Sequence, residues 1–404
     1  MVRFALVAPF FLPAGEWSAA PGSPLPVGPM AGRPAVGDVD GDGRLDLVVA
    51  CGTCCGSRPD PQSGRIVVAL GDGAGRFRWA SSLVVGPSVR KVALGDLDDD
   101  GDLDLVAAEH DRHELVLLMN DGRGGFTRRD APAPSVLPEP QPGDADPPAG
   151  HTHEVAIADV DGDGRLDLLA TSVSTHAVAI LLQDEAGAFR HAPGSPLRVR
   201  TPYDALALAD VDGDGDLDFA VPSLAGHAIE LFLGDGSGRF AVAPGSPLRV
   251  GERPGYVTFA DLDGDGDPDL AASHDDVAQL DLLCNDGRGR FAPIAGSPLR
   301  AEVAGFWWGI AAADLDGDGR VDLALGNGGA AAVTLLRGDG AGGFALDGAP
   351  RPVGKGPSYV VAADLDGDGG VELLTGDYGD GTVSVLRRVP RSPPLAPPPT
   401  APAR

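Results

Sequence analysis

The sequence predicts an all-β fold: a seven-bladed β-propeller of four-stranded antiparallel blades, with the ring closed by the N-terminal strand. Three observations carry this prediction. A nine-residue acidic loop, Asp-x-Asp-Gly-Asp-Gly-x-x-Asp or a close variant, returns at Asp38, Asp96, Asp159, Asp210, Asp261, Asp314 and Asp364, with spacings of 58, 63, 51, 51, 53 and 50 residues. A fixed period near fifty residues marks a repeat architecture. Helix-period patterns are absent, while Gly (59) and Pro (37) are abundant, as many short strands joined by tight turns require. Finally, a second turn of the type "GDGSGRF" recurs after six of the seven loops, which leaves one repeat short of its last strand.

One repeat, residues 204–250, sets out the elements in order. "DALALAD" is strand A and ends on the first loop carboxylate. "LDFAVP" leaves the loop as strand B, "AIELFLGDG" supplies strand C, and "GRFAVAPGSPLRV" supplies strand D. The nearly continuous apolar runs of A and B predict burial on both faces, as between neighbouring blades. The Asp-Gly pairs in the C–D turn suit a tight hairpin, because Gly accepts positive φ. After "TVSVLRR" (382–388) the chain runs into prolines and no strand D follows. "GEWSAAPGSPLPVG" (15–28) aligns without gaps on "GRFAVAPGSPLRVG" (238–251), with Trp17 in the place of Phe240. The N-terminus therefore supplies the missing outer strand, and closure of this kind removes exposed sheet edges.

A length of 404 residues would ordinarily suggest two or three domains, but one unit repeated nearly end to end predicts a single propeller over residues 15–389. Residues 1–14 read either as a secretion signal or as an N-terminal extension, and 390–404 as a disordered Pro-rich tail. Insertions lengthen the B–C loop of blade 1 ("TCCGSRPDPQSG") and the link between blades 2 and 3 (128–150); the second, rich in Pro and acids, is expected to be mobile. A net charge of −28 makes the chain a poor partner for nucleic acid. No apolar run is long enough to span a membrane as a helix. Cys284 is expected to be a buried small hydrophobe, and Cys51 to pair with Cys54 or Cys55 in a disulfide.

The acidic loop states its own chemistry. Close carboxylates repel one another unless a hard cation sits among them, and Ca²⁺ takes oxygen ligands from alternate side chains plus a backbone carbonyl. Positions 1, 3, 5 and 9 carry the carboxylates and position 7 the carbonyl. The candidate ligands are Asp38, Asp40, Asp42, Arg44 and Asp46 in blade 1, and Asp96, Asp98, Asp100, Asp102 and Asp104 in blade 2. Blade 3 offers Asp159, Asp161, Asp163, Arg165 and Asp167, and blade 4 Asp210, Asp212, Asp214, Asp216 and Asp218. Blade 5 offers Asp261, Asp263, Asp265, Asp267 and Asp269, and blade 6 Asp314, Asp316, Asp318, Arg320 and Asp322. Blade 7, with Asp364, Asp366, Asp368, Gly370 and Glu372, is the weakest match. Up to seven Ca²⁺ are expected. An EF-hand is excluded, because position 12 reads Val49, Ala107, Ala170, Val221, Ala272, Leu325 and Thr375 and the flanks are strand-like.

The loop "DVDGDGRLD" followed by the "GDG-G-F" turn resembles the FG-GAP/VCBS repeat family, which includes the propeller of integrin α chains. The resemblance covers about residues 15–389. It implies Ca²⁺ in the A–B loops of a lower face and a ligand surface on the upper face. Integrin α chains carry such loops in only some blades, whereas all seven carry one here. That departure favours a bacterial-type VCBS protein.

If the loops lie below, the starts of the A strands lie above, around the channel mouth. Gly32, Arg90, His153, Asp204, Gly255, Trp308 and Ser358 hold equivalent positions there, beside Tyr203, Tyr256, Trp307 and Tyr359. Aromatics among polar groups suit a sugar or peptide site, although some could instead plug the channel. His153, Asp204, Trp307 and Trp308 are the candidate centre. Glu109, His110 and His113, with His151, His153 and Glu154, add a group fit for a transition metal or hydrolytic chemistry, or for solvent alone. Two readings follow. One is a non-catalytic binding or adhesion module for a glycan or protein, monomeric and outside the cytoplasm. The other is an extracellular enzyme acting on polysaccharide. No catalytic motif is present.

Overall fold

A computed structural model describes residues 16–52, 63–130, 133–137, 150–203, 205–300 and 307–389. They form seven antiparallel sheets and no helix. Blade 1 is typical, with strands A to D at Pro34–Gly37, Asp46–Cys51, Gly64–Gly71 and Phe77–Gly86 paired in that order. Strand B is fully buried in every blade, so its apolar run packs on both faces between neighbours.

The last blade is built from both chain ends. Its strands A to C are Pro357–Ala363, Glu372–Asp377 and Thr382–Val389, and its outer strand is Glu16–Ala19, paired antiparallel with strand C from Glu16↔Val389 to Ala19↔Leu386. Leu25–Pro26 adds a second short pairing, Leu25↔Val383 and Pro26↔Thr382.

Strand D differs from the continuous strand that the sequence predicts. In blades 3 to 6 it is broken into two pieces, for example Phe240–Val242 and Leu248–Arg249, both paired with strand C. In blades 3 to 5 a Gly-Ser-Pro segment arches between them, and its serine hydroxyl accepts the strand C amide that the arch leaves unpaired. Leu231 donates to Ser246 at 3.0 Å, Leu282 to Ser297 at 2.9 Å, and Val385 to Ser23 at 2.9 Å in the closing blade. A buried backbone donor needs such a partner.

The cysteine expectations also change. Cys51 is a free, buried thiol that donates to Val27 O at 3.4 Å. Cys54 and Cys55 lie outside the described residues, as do 1–14, 390–404 and most of both insertions. Cys284 is half-buried rather than buried, because it sits at the mouth of the blade 5 acidic loop, 3.1 Å from Asp263 Oδ2.

Candidate functional site

The acidic loops occupy the A–B corner of every blade, on one face of the ring. The first carboxylate folds the loop: Asp38 accepts the amides of Asp42 at 3.1 Å and Gly43 at 2.7 Å. The fifth accepts the position 7 amide, as Asp42 does from Arg44 at 3.0 Å. The ninth is buried in all seven blades. Asp46 accepts Val39 N at 2.9 Å and Gly71 N, at the end of strand C, at 2.8 Å, so one side chain ties the loop to the sheet. Asp104, Asp167, Asp218, Asp269 and Asp322 repeat both bonds.

Five of the seven loops also staple their blade to the next. The position 2 carbonyl accepts a donor from the following blade's C–D turn: Asn120 to Val39, Gln183 to Leu97, Gly238 to Val160, Gly289 to Val211 and Gly342 to Leu262. The loops are thus part of the interface between blades.

The carboxylates fit a hard cation. In blades 1 to 3, sets such as Asp38, Asp40 and Asp42, or Asp96, Asp98 and Asp104, bring one oxygen each within 4.8 Å of the others. Asp40 Oδ1 and Asp212 Oδ1 are buried without a hydrogen-bond partner among the described residues. Burial, then the neighbouring acids, pushes Asp98, Asp161, Asp212 and Asp366 above the usual carboxylate range. Burial likewise raises Asp104, Asp167, Asp218 and Asp322 to about 6 and Glu372 to about 7, against their backbone hydrogen bonds. A bound Ca²⁺ would supply the missing positive charge.

These shifts give a signed prediction. The folded-state values lie above the unfolded ones, so the folded chain holds more protons between about pH 4 and pH 7. Without metal, stability is therefore greatest below about pH 4 as far as these groups are concerned, and it is lost as pH rises through 6 to 7. In EDTA the melting temperature should be higher at pH 5 than at pH 8, and excess Ca²⁺ should reverse the order. Scanning calorimetry at the two pH values, with and without Ca²⁺, checks this; equal melting in EDTA would count against the charge crowding.

The loops are not equivalent. In blade 6 the Arg337 guanidinium stands 2.8 Å from Asp316, where the other blades present Leu70, Met119, Leu182, Leu233 or Cys284 and, in blade 7, Arg387. The sequence ranks blade 7 weakest by its loop alone; the structure adds that blade 6 already holds a protein cation against its position 3 carboxylate.

On the opposite face a cavity of about 180 Å³ opens at the channel mouth. Gly32, Arg90, Trp308 and Ser358, four of the seven equivalent positions, line it, with Tyr203, Tyr256 and Tyr359. Tyr378, from the B–C loop of blade 7, joins them, a residue that the strand-start pattern could not reveal. Tyr256 and Tyr359 are buried and meet edge to face at 5.5 Å. Below them lies Lys91, whose Nζ is 4.6 Å from the Tyr359 ring centre and ion-pairs with Glu154 of the next blade. These two tyrosines floor the cavity as channel packing. Trp308 is half-buried and offers a partly open ring.

β-Bulges at the top of strand A re-aim these side chains in blades 2, 3, 5, 6 and 7, at Val89/Lys91, Thr152/Val155, Pro254/Tyr256, Trp307/Ile310 and Pro357/Tyr359. His153 is buried beside the cavity, with its ring centre 6.0 Å from that of Tyr203. Trp307 begins strand A of blade 6, opposite Asn327; its side chain, like the whole of Asp204, lies outside the described residues. His110 and His151 gather around His153, whereas Glu154 turns to Lys91. Burial holds the His110 imidazole down at about 4, against its bond to Asp111. Burial also lifts Glu109 to about 7.

Seven sheets in a ring, each with an acidic loop at the same corner, define a repeat propeller. The chain belongs to the FG-GAP-like repeat family, whose model matches residues 38–107, 96–170, 159–221, 223–272 and 314–375. No curated protein matches the sequence. Among solved structures, it is similar to an Agrocybe aegerita lectin that recognises non-reducing terminal N-acetylglucosamine (20% identity, TM-score 0.52, 88% of this chain and 84% of that one). It is also similar to virginiamycin B lyase from Staphylococcus aureus (12% identity, TM-score 0.52, 93% and 99%). A putative 6-phosphogluconolactonase from Bacteroides uniformis gives 14% identity and a TM-score of 0.57, over 84% and 91% of the two chains. At these identities the likeness is one of fold.

Proposed function

We propose that the chain is a calcium-loaded, non-catalytic binding module that takes a glycan, or a protein ligand, at the aromatic cavity of its upper face. The observation that carries this reading is the convergence of Trp308 and four tyrosines on one cavity beside Arg90 and Asp275. Aromatic faces stack on the apolar faces of sugar rings, and a few polar groups fix orientation. The lectin's likeness in fold lends the glycan some weight over a protein. We read the module as one that works outside the cytoplasm, where near-millimolar Ca²⁺ would keep such loops loaded, and as a monomer.

The test is a glycan array in about 1 mM Ca²⁺, then titration of the best binder against the Trp308→Ala variant. Affinity should fall more than about tenfold, the loss of one stacking face. The melting temperature should fall only by about 2–3 °C, the cost of a half-buried Trp ring packed on the core, and its rise on adding Ca²⁺ should be unchanged, since the Trp308 carbonyl that accepts Ser273 Oγ is backbone. Equal binding by the variant would remove the cavity from the function.

A further inference from the structure

We propose that His110, His151 and His153 form a transition-metal site on the upper face, suited to a zinc-class divalent cation and distinct from the seven acidic loops. The three imidazoles come from two blades. His110 follows strand B of blade 2 (Asp104–Glu109), and His151 and His153 open strand A of blade 3 (Thr152–Ala158). One nitrogen of each lies within 4.8 Å of the others, and the ring centres are 4.3, 4.8 and 5.0 Å apart. Zinc holds nitrogen at about 2.0–2.1 Å, which places ligand nitrogens roughly 3.4 Å apart in a tetrahedral shell. A contraction of at most about 1.4 Å, within the reach of imidazole rotation, closes the set.

The donor type decides the metal. Three imidazoles and no carboxylate in the set suit zinc, copper or nickel, whereas calcium takes oxygen. The two faces would therefore sort two classes of cation.

A second observation comes from the shell around the triad. His110 Nδ1 lies 2.8 Å from Asp111 Oδ1. Metal-bound histidines characteristically donate their other N–H to a carboxylate, which fixes the tautomer. With the proton on Nδ1, His110 presents its Nε2 lone pair. Its backbone is anchored as well, its amide donating to Ser88 O at 2.8 Å. His153 is buried and placed by the bulge between Thr152 and Val155, and half-buried His151 offers a way in from solvent.

Three protein ligands leave a fourth position, the pattern of zinc sites that meet water or a ligand rather than purely structural ones. Tyr203 borders both His153 and the aromatic cavity. A metal here would stand at the wall of that cavity, and its open position would take water or an anionic group of a bound molecule. The site also bridges blades 2 and 3. This inference does not rest on the glycan reading.

The experiment is calorimetric titration of the full chain with ZnCl₂ in about 1 mM Ca²⁺, which keeps the acidic loops loaded. One Zn²⁺ per chain is expected, with a Kd at or below about 1 µM. His151→Ala should weaken it at least about 100-fold, and Asp111→Asn about 10- to 100-fold. Asp38→Asn in an acidic loop should leave it unchanged. Co²⁺ in place of Zn²⁺ should give the intense visible bands of a tetrahedral site in the wild type and not in His151→Ala. If His151→Ala melts well below the wild type, the Asp111→Asn comparison decides, since that carboxylate is partly exposed. Absence of saturable Zn²⁺ binding below about 100 µM would overturn the site and leave the triad as ring packing. Binding untouched by both variants would overturn it too, and would assign the zinc to the carboxylate loops.

Discussion

In EDTA the melting temperature should fall by roughly 10–15 °C, and excess Ca²⁺ should restore it. At about 1 mM Ca²⁺ and a Kd of about 0.1 mM, each occupied loop adds roughly 1.4 kcal/mol to the folded state. Seven independent sites give up to roughly 10 kcal/mol, comparable with the whole net stability of a domain. With an unfolding entropy of about 2.1 cal/mol/K per residue over this chain, that free energy corresponds to the stated shift. The architecture implies that the loss is global. The position 9 carboxylates tie each loop to its own strand C, and the position 2 carbonyls accept donors from the next blade. Loosening a loop therefore loosens a joint of the ring. Blade 6 should contribute least, because Arg337 already stands against Asp316. A melting curve that EDTA leaves unchanged would sink the calcium reading.

The fold and the acidic loops were legible because they are local and repeated. Each loop lies within nine residues, and seven copies fix the period, the corner and the face. Closure was legible for the same reason, since Trp17 falls in register with Phe240 of an internal repeat. The upper face was legible only as a ring of positions. Strand starts point to Tyr203, Tyr256, Trp308 and Tyr359, but Tyr378 enters from a B–C loop, which strand register does not predict. The His110 pairing with His151 and His153 spans some forty residues and depends on how two blades pack. Spacing alone could not separate that from solvated histidines. Arg337 is not legible as a loop partner because it belongs to strand C, not to the loop motif it contacts. The break in strand D is not legible either: both flanking pieces pair with strand C, but the arch between them shifts the register by three residues, from Phe232↔Val242 to Ile229↔Leu248.

Deleting residues 16–28 should abolish the soluble monomer or lower its melting temperature by more than about 10 °C, whereas deleting 390–404 should leave it unchanged. The N-terminal segment covers strand C of the last blade along its length. Backbone bonds run from Ala20 N to Val385 O at 2.8 Å and from Val27 N to Gly381 O at 2.9 Å, beside the ladder from Glu16 to Ala19. Ser23 Oγ accepts Val385 N at 2.9 Å. Ala20 and Val27 are buried against Val383 and Val385, and Trp17 packs on the core between blades 6 and 7. Removal would uncover these side chains and leave Thr382–Val389 as a bare edge, a template for pairing with another chain. The milder Trp17→Ala change truncates a half-buried ring, at a cost of about 2 kcal/mol, less than a fully buried Trp. It should lower the melting temperature by about 2–3 °C without aggregation. Size-exclusion chromatography and thermal melts of the three variants distinguish the outcomes. A deletion of 16–28 that elutes and melts like the intact chain would mean that the seventh blade holds with three strands and the ring needs no clasp.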